Sequence, residues 1–165
     1  MSTAPSIRQA TPNDHSKLKE IIDLSFPRFF RFFASHSVNS KTGTVLISEK
    51  QGTIAGFAKL TEFTIAGDKF GCILWLATHP DFRKKDVAAQ LVQAGSGYLK
   101  GQGVRAVFAS AQRSNAGSLA TFGKVGFRRV GFLGLWGVFG WRVFSFYRKI
   151  WFVAGEVVLM WSFVD

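Results

Sequence analysis

LATHPDFRKKDVAAQL, Leu76 to Leu91, changes character twice. Leu76 and Ala77 end an apolar run that starts at Lys69 and reads as a central strand. His79 to Asp86 is polar, with Arg83, Lys84 and Lys85 in succession. From Val87 the apolar residues recur at helical spacing through Leu91, Ala94 and Tyr98, and Gly101-Gln102-Gly103 stops the helix after Lys100. A strand that gives way to a helix through a short basic loop is a natural anion site. The first N–H groups of such a helix have no intrahelical carbonyl, and the positive end of the helix dipole points the same way. A diphosphate suits this loop; an ordinary charged helix start is the bland alternative.

Working outward, Thr44 to Ser48, Thr53 to Thr64 and Lys69 to Ala77 read as an antiparallel meander with turns at Glu49–Gly52 and Ala66-Gly67-Asp68. Val104 to Ala109 reads as a strand returning parallel to Lys69–Ala77, which makes a right-handed crossover. Ser114-Asn115 caps a helix over Ala116 to Val125 that Gly126 ends, and Phe127 to Phe132 and Glu156 to Phe163 read as two further strands. At the other end, Ser6 to Ala10 is a short strand. Thr11-Pro12-Asn13-Asp14 opens a helix that runs to about Phe26 and buries Leu18, Ile21, Ile22 and Ser25. Beyond Pro27, the helical spacing of Phe26, Phe29, Phe30 and Phe33 predicts a second short helix with an aromatic face. The fold class is α/β: a mixed, mostly antiparallel sheet of six to seven strands with helices on both faces. A chain of 165 residues is expected to form a single domain over 1–165.

The formal charge is +11, from 21 Lys/Arg against 10 Asp/Glu, and between Asp86 and Glu156 there is no acid. Such a basic half predicts an anionic partner: a nucleotide cofactor, nucleic acid or anionic lipid. The lone Cys72 allows neither an internal disulfide nor a zinc cage and fits a reducing cytoplasm. No metal is expected. The N-terminus lacks the apolar core of a signal peptide, and Val130 to Trp141, uncharged, is too short to span a bilayer. The expected localisation is cytoplasmic, with peripheral membrane contact open.

Three pieces in order resemble the GNAT superfamily of N-acetyltransferases. IRQATPND, Ile7 to Asp14, looks like the family's opening strand and helix start. In Leu76 to Leu91, Arg83, Asp86 and Ala88 occupy the three defined positions of the family's Arg/Gln-x-x-Gly-x-Gly/Ala loop. NAGSLATFGKVGF, Asn115 to Phe127, resembles its Asn-led helix followed by a Gly-Phe pair. The resemblance implies acetyl-CoA, or another acyl-CoA, as cofactor and a primary amine as acceptor, which attacks the thioester directly. It implies cofactor-binding roles for Leu76, Ala77, Thr78, Arg83, Lys84, Lys85, Asp86, Val87, Ala88, Asn115 and Phe122, with the backbone N–H of Leu76 polarising the thioester carbonyl. Two residues depart from the pattern. Asp86 replaces a glycine and brings a carboxylate to an anion site. Phe122 replaces a tyrosine that could protonate the leaving thiolate, and it cannot donate a proton. They motivate an alternative: a catalytically impaired module that keeps the fold and binds coenzyme A or regulates.

The general base is sought on the meander. Lys69 to Ala77 holds no acid or His, so Glu62 on the preceding strand is the candidate, acting through a water; a solvated strand residue is its bland reading. His79 is expected only to shape the loop. Gly131 to Gly155 is an insert with nine aromatics, three basic residues and no acid, with glycine at 131, 134, 137 and 140. From Arg142 it reads as an amphipathic helix with Val143, Phe144, Tyr147, Ile150 and Trp151 on one side. The resemblance places this insert and the Phe26–Phe33 segment beside the acceptor, which gives acceptor-side roles to Phe29, Phe30, Phe33 and Trp136. An apolar or membrane-proximal acceptor, a peripheral membrane contact and a homodimer interface through 131–155 all remain open. Nucleic acid is not expected, since no RNA-binding motif accompanies the charge.

Overall fold

The computed structural model describes residues 5–163. Seven strands form one sheet: β1 (Ser6–Gln9), β2 (Thr44–Lys50), β3 (Thr53–Ile65), β4 (Asp68–Thr78), β5 (Ala106–Gln112), β6 (Arg128–Val130) and β7 (Glu156–Ser162). Their order is β1-β2-β3-β4-β5-β7-β6. The β4–β5 pair is parallel, while β1–β2, β2–β3, β5–β7 and β6–β7 are antiparallel, so the mixed, mostly antiparallel α/β fold is confirmed. Six helices join them: α1 (His15–Ser25), α2 (Arg28–Asn39), α3 (Val87–Gly101), α4 (Ala116–Val125), α5 (Phe132–Phe139) and α6 (Val143–Lys149). The chain divides into two compact units. One comprises the chain up to Thr61 with Trp75–Gly95, the other Glu62–Leu74 with the chain from Ser96 onward.

The first unit has its core in Leu18, Ile21 and Ile22 of α1, Ala34 and Val38 of α2, and Ile47, Ile54, Phe57 and Ala77 of the strands. A 3-10 turn, Pro12–Asp14, leads into α1. Asp14 holds that corner: its carboxylate accepts from the Thr11 N–H at 2.7 Å and the Thr11 hydroxyl at 2.9 Å. It also accepts two bonds from Arg8 of β1, at 2.9 and 3.0 Å. The Arg8 bonds, with the two from Thr11, hold the Asp14 carboxyl well below the usual carboxylate range. A depressed native pKa stabilises the fold above the unfolded value near 4, and that stabilisation is lost as pH falls through the native value. Asp14→Asn is therefore expected to cost about 2 kcal/mol at pH 7. Urea titrations should show the gap from wild type shrinking below pH 4; a gap unchanged from pH 7 to pH 2 would contradict this.

The aromatic stripe of α2 is distinct from its buried face. Ala34 and Val38 set the buried face, while Phe29 and Phe32 are each 71% exposed. Phe26 and Phe30 meet Trp75 at 5.3 and 6.4 Å between ring centres, and Phe29, Phe32 and Phe33 cluster on the outer side. Small residues, not the largest ones, let α2 approach the sheet. Lys59 of β3 is fully buried and pins the chain after α2, donating to the carbonyls of Thr42 and Ser40; burial pushes its amine below the usual lysine value.

In the second unit the core is aromatic. Phe63, Phe70 and Phe108 of the strands pack with Leu135 and Phe139 of α5 and with Val143, Phe146 and Ile150. Phe146 lies 4.7 Å from both Phe108 and Phe139 between ring centres. Each such ring contributes about 2–3 kcal/mol of burial. Cys72 lies in this core, and burial, helped by the charge of Glu156, pushes its thiol up to about 12, so it is inert.

Two expectations for the insert are corrected. The strand expected over Phe127 to Phe132 is only Arg128–Val130, because Gly131 caps α5 and Phe132 is already helical. The helix expected from Arg142 is α6, which ends at Lys149, and Gly140, with a φ of +56° that an L side chain resists, closes α5 before it. Its apolar side is not the one expected. Val143, Phe146 and Ile150 are buried, whereas Phe144 and Trp151 face solvent. The glycine spacing is thus two caps, Gly131 and Gly140, around two interior positions.

Candidate functional site

The basic loop joins a 3-10 turn, Pro80–Phe82, to α3. Its entry is fixed by His79, whose N–H donates to the Ala55 carbonyl at 2.8 Å and whose Nδ1 accepts from the Asp81 N–H at 3.3 Å. His79 therefore shapes the loop. Lys85 folds back, donating to the Asp81 carbonyl at 2.9 Å, with its ammonium 5.3 Å from the centre of the Phe82 ring. Lys84 and Asp86 both have φ of +58°. Left-handed residues alternating with ordinary ones turn successive N–H groups toward one side, the geometry of an anion nest. Asp86 also occupies the capping position of α3: its carbonyl accepts from the Gln90 N–H at 3.0 Å. The N–H groups of Val87, Ala88 and Ala89 then lie in the first helical turn, without an intrahelical acceptor.

Arg83, Lys84, Lys85 and Asp86 are all exposed, so a ligand reaches them from solvent, while Val87 is buried and anchors the helix start. Gly56 makes that anchorage fit. A Cβ there would stand 2.6 Å from the Ala77 carbonyl oxygen, 3.2 Å from Val87 Cγ1 and 3.3 Å from Leu91 Cδ1. In the same unit Ala77 is buried, and Leu76 and Thr78 are half-buried at the end of β4. The Thr78 carbonyl accepts from Ser25 Oγ at 3.4 Å. Among the described residues this loop and helix start fit a diphosphate: three exposed cations, N–H groups at a helix start, and positive φ at Lys84 and Asp86. Asp86 and, in the preceding turn, Asp81 bring negative charge.

In the second unit the parallel register of β4 and β5 runs over Gly71↔Val107, Cys72↔Phe108 and Ile73↔Ala109, whereas β7 pairs with the whole length of β5. Asn115 caps α4, its Oδ1 accepting from the Ser118 N–H at 3.0 Å, which leaves its amide NH2 to donate elsewhere. Phe122 is a core residue edge-on to Phe127 at 5.1 Å. Glu62 pairs with Lys69 at 2.5 Å on the exposed side of the hairpin. A pair this open to water contributes about 0–1 kcal/mol, so it does not lock the carboxylate away. Of the acceptor-side residues, Phe29, Phe30 and Phe33 lie on α2 in the first unit, Phe29 most exposed; Trp136 lies on α5 in the second, nearly half exposed.

Two clefts are lined by other residues. One, of about 450 Å³, is lined by Arg113, Leu119, Phe127 and Arg129 among others; the second, of about 230 Å³, by Thr11, His15, Ser40 and Lys59 among others. No sequence-predicted site residue lines either. An anion site made of N–H groups and exposed cations is a surface, so cavity volume does not reveal it. The sequence reading missed Trp75, which anchors Phe26 and Phe30; its place in the apolar run Lys69–Ala77 was the available signal. Among the described residues no group of three His, Cys, Asp or Glu could hold a metal ion. No helix among them is long and apolar enough to cross a membrane.

Solved structures share the fold at low identity. An acetyltransferase from Bacillus subtilis in complex with CoA superposes with a TM-score of 0.71 at 16% identity, covering 97% of this chain and 99% of its own. The ribosomal-protein-S18-alanine N-acetyltransferase of Escherichia coli gives 0.67 at 15% identity, covering 96% and 93%. The PaiA N-acetyltransferase of Thermoplasma acidophilum, in complex with coenzyme A, gives 0.68 at 14% identity, covering 98% and 100%. No curated protein sequence matches the chain. The profile of the Acetyltransferase (GNAT) family matches residues 9–127, a span that runs from the first strand through the basic loop to the Gly126-Phe127 pair. The chain belongs to the GNAT acetyltransferase family.

Proposed function

We propose that the chain moves an acetyl or other acyl group from acyl-CoA to a primary amine by direct attack. The observation that carries this reading is the exposed cationic loop at Arg83–Asp86, with two left-handed residues at the start of α3. Relatives of the same fold bound to coenzyme A support the cofactor.

Acyl-CoA supplies a thioester, an acyl carbon already activated toward amines. The N–H groups of residues 84–88, with Arg83, Lys84 and Lys85, hold the diphosphate. Backbone groups of Leu76, Ala77 and Thr78 bond the pantetheine arm as an added strand would, and the Leu76 N–H polarises the carbonyl. The Asn115 amide donates to the pantetheine. Glu62, released from Lys69, takes a proton from the attacking amine through a water. The C–N bond forms and the C–S bond breaks. The thiolate needs no dedicated acid, since thiols ionise at about 8.5, so Phe122 slows the step without forbidding it. Aromatic residues at Phe29, Phe30, Phe33 and Trp136 suit an acceptor amine carried on an apolar or membrane-proximal molecule.

The test is thiol release from acetyl-CoA over a panel of small amines, peptide N-termini, lysine peptides and lipid amines. At least one acceptor should give turnover above hydrolysis. Glu62→Gln should lower kcat/KM about 100-fold. Asp86 and Phe122 favour a second reading, a coenzyme A-binding or regulatory module. Binding of coenzyme A without turnover on any amine would replace the first reading by the second.

A further inference from the structure

The α5–α6 segment presents two opposite faces. Its inner face is the aromatic core of the second unit. Its outer face carries Phe132, Leu133, Trp136, Trp141, Phe144 and Trp151 as exposed side chains, Leu133 at 83% and Trp141 at 69%. Phe132 stands 5.8 Å from Trp136 and 6.5 Å from Phe144 between ring centres, so the outer faces of the two helices are continuous. The Arg142 guanidinium lies 5.0 Å over the Trp141 ring, and Arg148 and Lys149 are exposed at the end of α6. Monomeric soluble proteins rarely leave so many large apolar side chains of one short segment in water.

We infer that this outer face docks on the surface of an anionic lipid bilayer. Charge decides among occupants. A second copy meeting this patch by two-fold symmetry would set Arg142, Arg148 and Lys149 against themselves, and residues 87–155 contain no acid to pair with them. An anionic surface matches all three cations, each strengthening attachment on the order of five-fold. Tryptophan and phenylalanine favour the headgroup level, apolar on one side and wet on the other. An eight-residue helix such as α5 is about 12 Å long against a hydrocarbon core of about 30 Å, so the segment lies on the bilayer and does not cross it. The inference goes beyond the acyltransfer reading and stands without it.

Flotation with vesicles of phosphatidylcholine and 30% phosphatidylserine tests it, using the full chain without acyl-CoA. Wild type should float, and 0.5 M salt should reduce the bound fraction severalfold. Replacing Leu133, Trp141 and Trp151 together by alanine should lower binding at least tenfold. These side chains are exposed, so circular dichroism and Tm should stay near wild type. A second variant, Arg142→Gln with Arg148→Gln and Lys149→Gln, should lose the preference for anionic over neutral vesicles. Folded wild type that stays at the bottom, that floats equally with neutral vesicles, or that elutes as a dimer through this face would overturn the inference. None of these outcomes alters thiol release from acetyl-CoA.

Discussion

Replacing Arg83, Lys84 and Lys85 together by glutamate is expected to weaken coenzyme A binding by at least about 100-fold. Each reversal beside a bound phosphate is worth about 1 kcal/mol in this exposed setting, and three give a factor on the order of 100. All three side chains are exposed, so the fold should survive; the bond from Lys85 to the Asp81 carbonyl and its contact with the Phe82 ring are lost. The effect should shrink at high salt, as screened charges do. Calorimetry on wild type and variant at two ionic strengths checks both points. A variant that binds as wild type does would place the diphosphate elsewhere.

Gly56→Val is expected to be the most damaging single change in the first unit. The new side chain would enter the space held by the Ala77 carbonyl, Val87 and Leu91, and the nearest contact is backbone, which cannot rotate away. Overpacking of this kind costs about 3 kcal/mol, or roughly 6–12 °C in Tm for a chain of this size. Because Val87 begins α3, a displaced helix start also spoils the N–H cradle. Tm and coenzyme A affinity should fall together. A stable variant with normal affinity would show that α3 is not seated through Gly56.

The basic loop was legible because strand, cations and helix follow each other within a few residues, and α3 begins at Val87 as its periodicity predicts. Its buried face was read too narrowly. Leu91 was found, but Val92 and Leu99 are equally buried, while Ala94 and Tyr98 are only half so. Gly95 and Ser96, small and buried, let the helix approach closely, and hydropathy does not register them. The insert failed for another reason. Periodicity assumes a helix that runs on, but α6 ends at Lys149 and Trp151 takes a φ of +56°, so Trp151 leaves the helical face, and Phe146 turns inward in place of Phe144. Lys59 was invisible as a core residue because its partners are backbone carbonyls, which no residue type announces. At the candidate site, the sequence identified the loop and the Asn115 cap but not the ion pair between Glu62 and Lys69 or the bond from the His79 N–H to the Ala55 carbonyl. Those are contacts, and they depend on folded geometry.

The loop opening α3 is the centre of the account, and titration of the folded wild-type chain with acetyl-CoA tests it most directly. Saturable binding at one site, with acetyl-pantetheine at least about 100-fold weaker because it lacks the diphosphate, is the predicted result. No heat with acetyl-CoA, or equal affinity for the two, would contradict it.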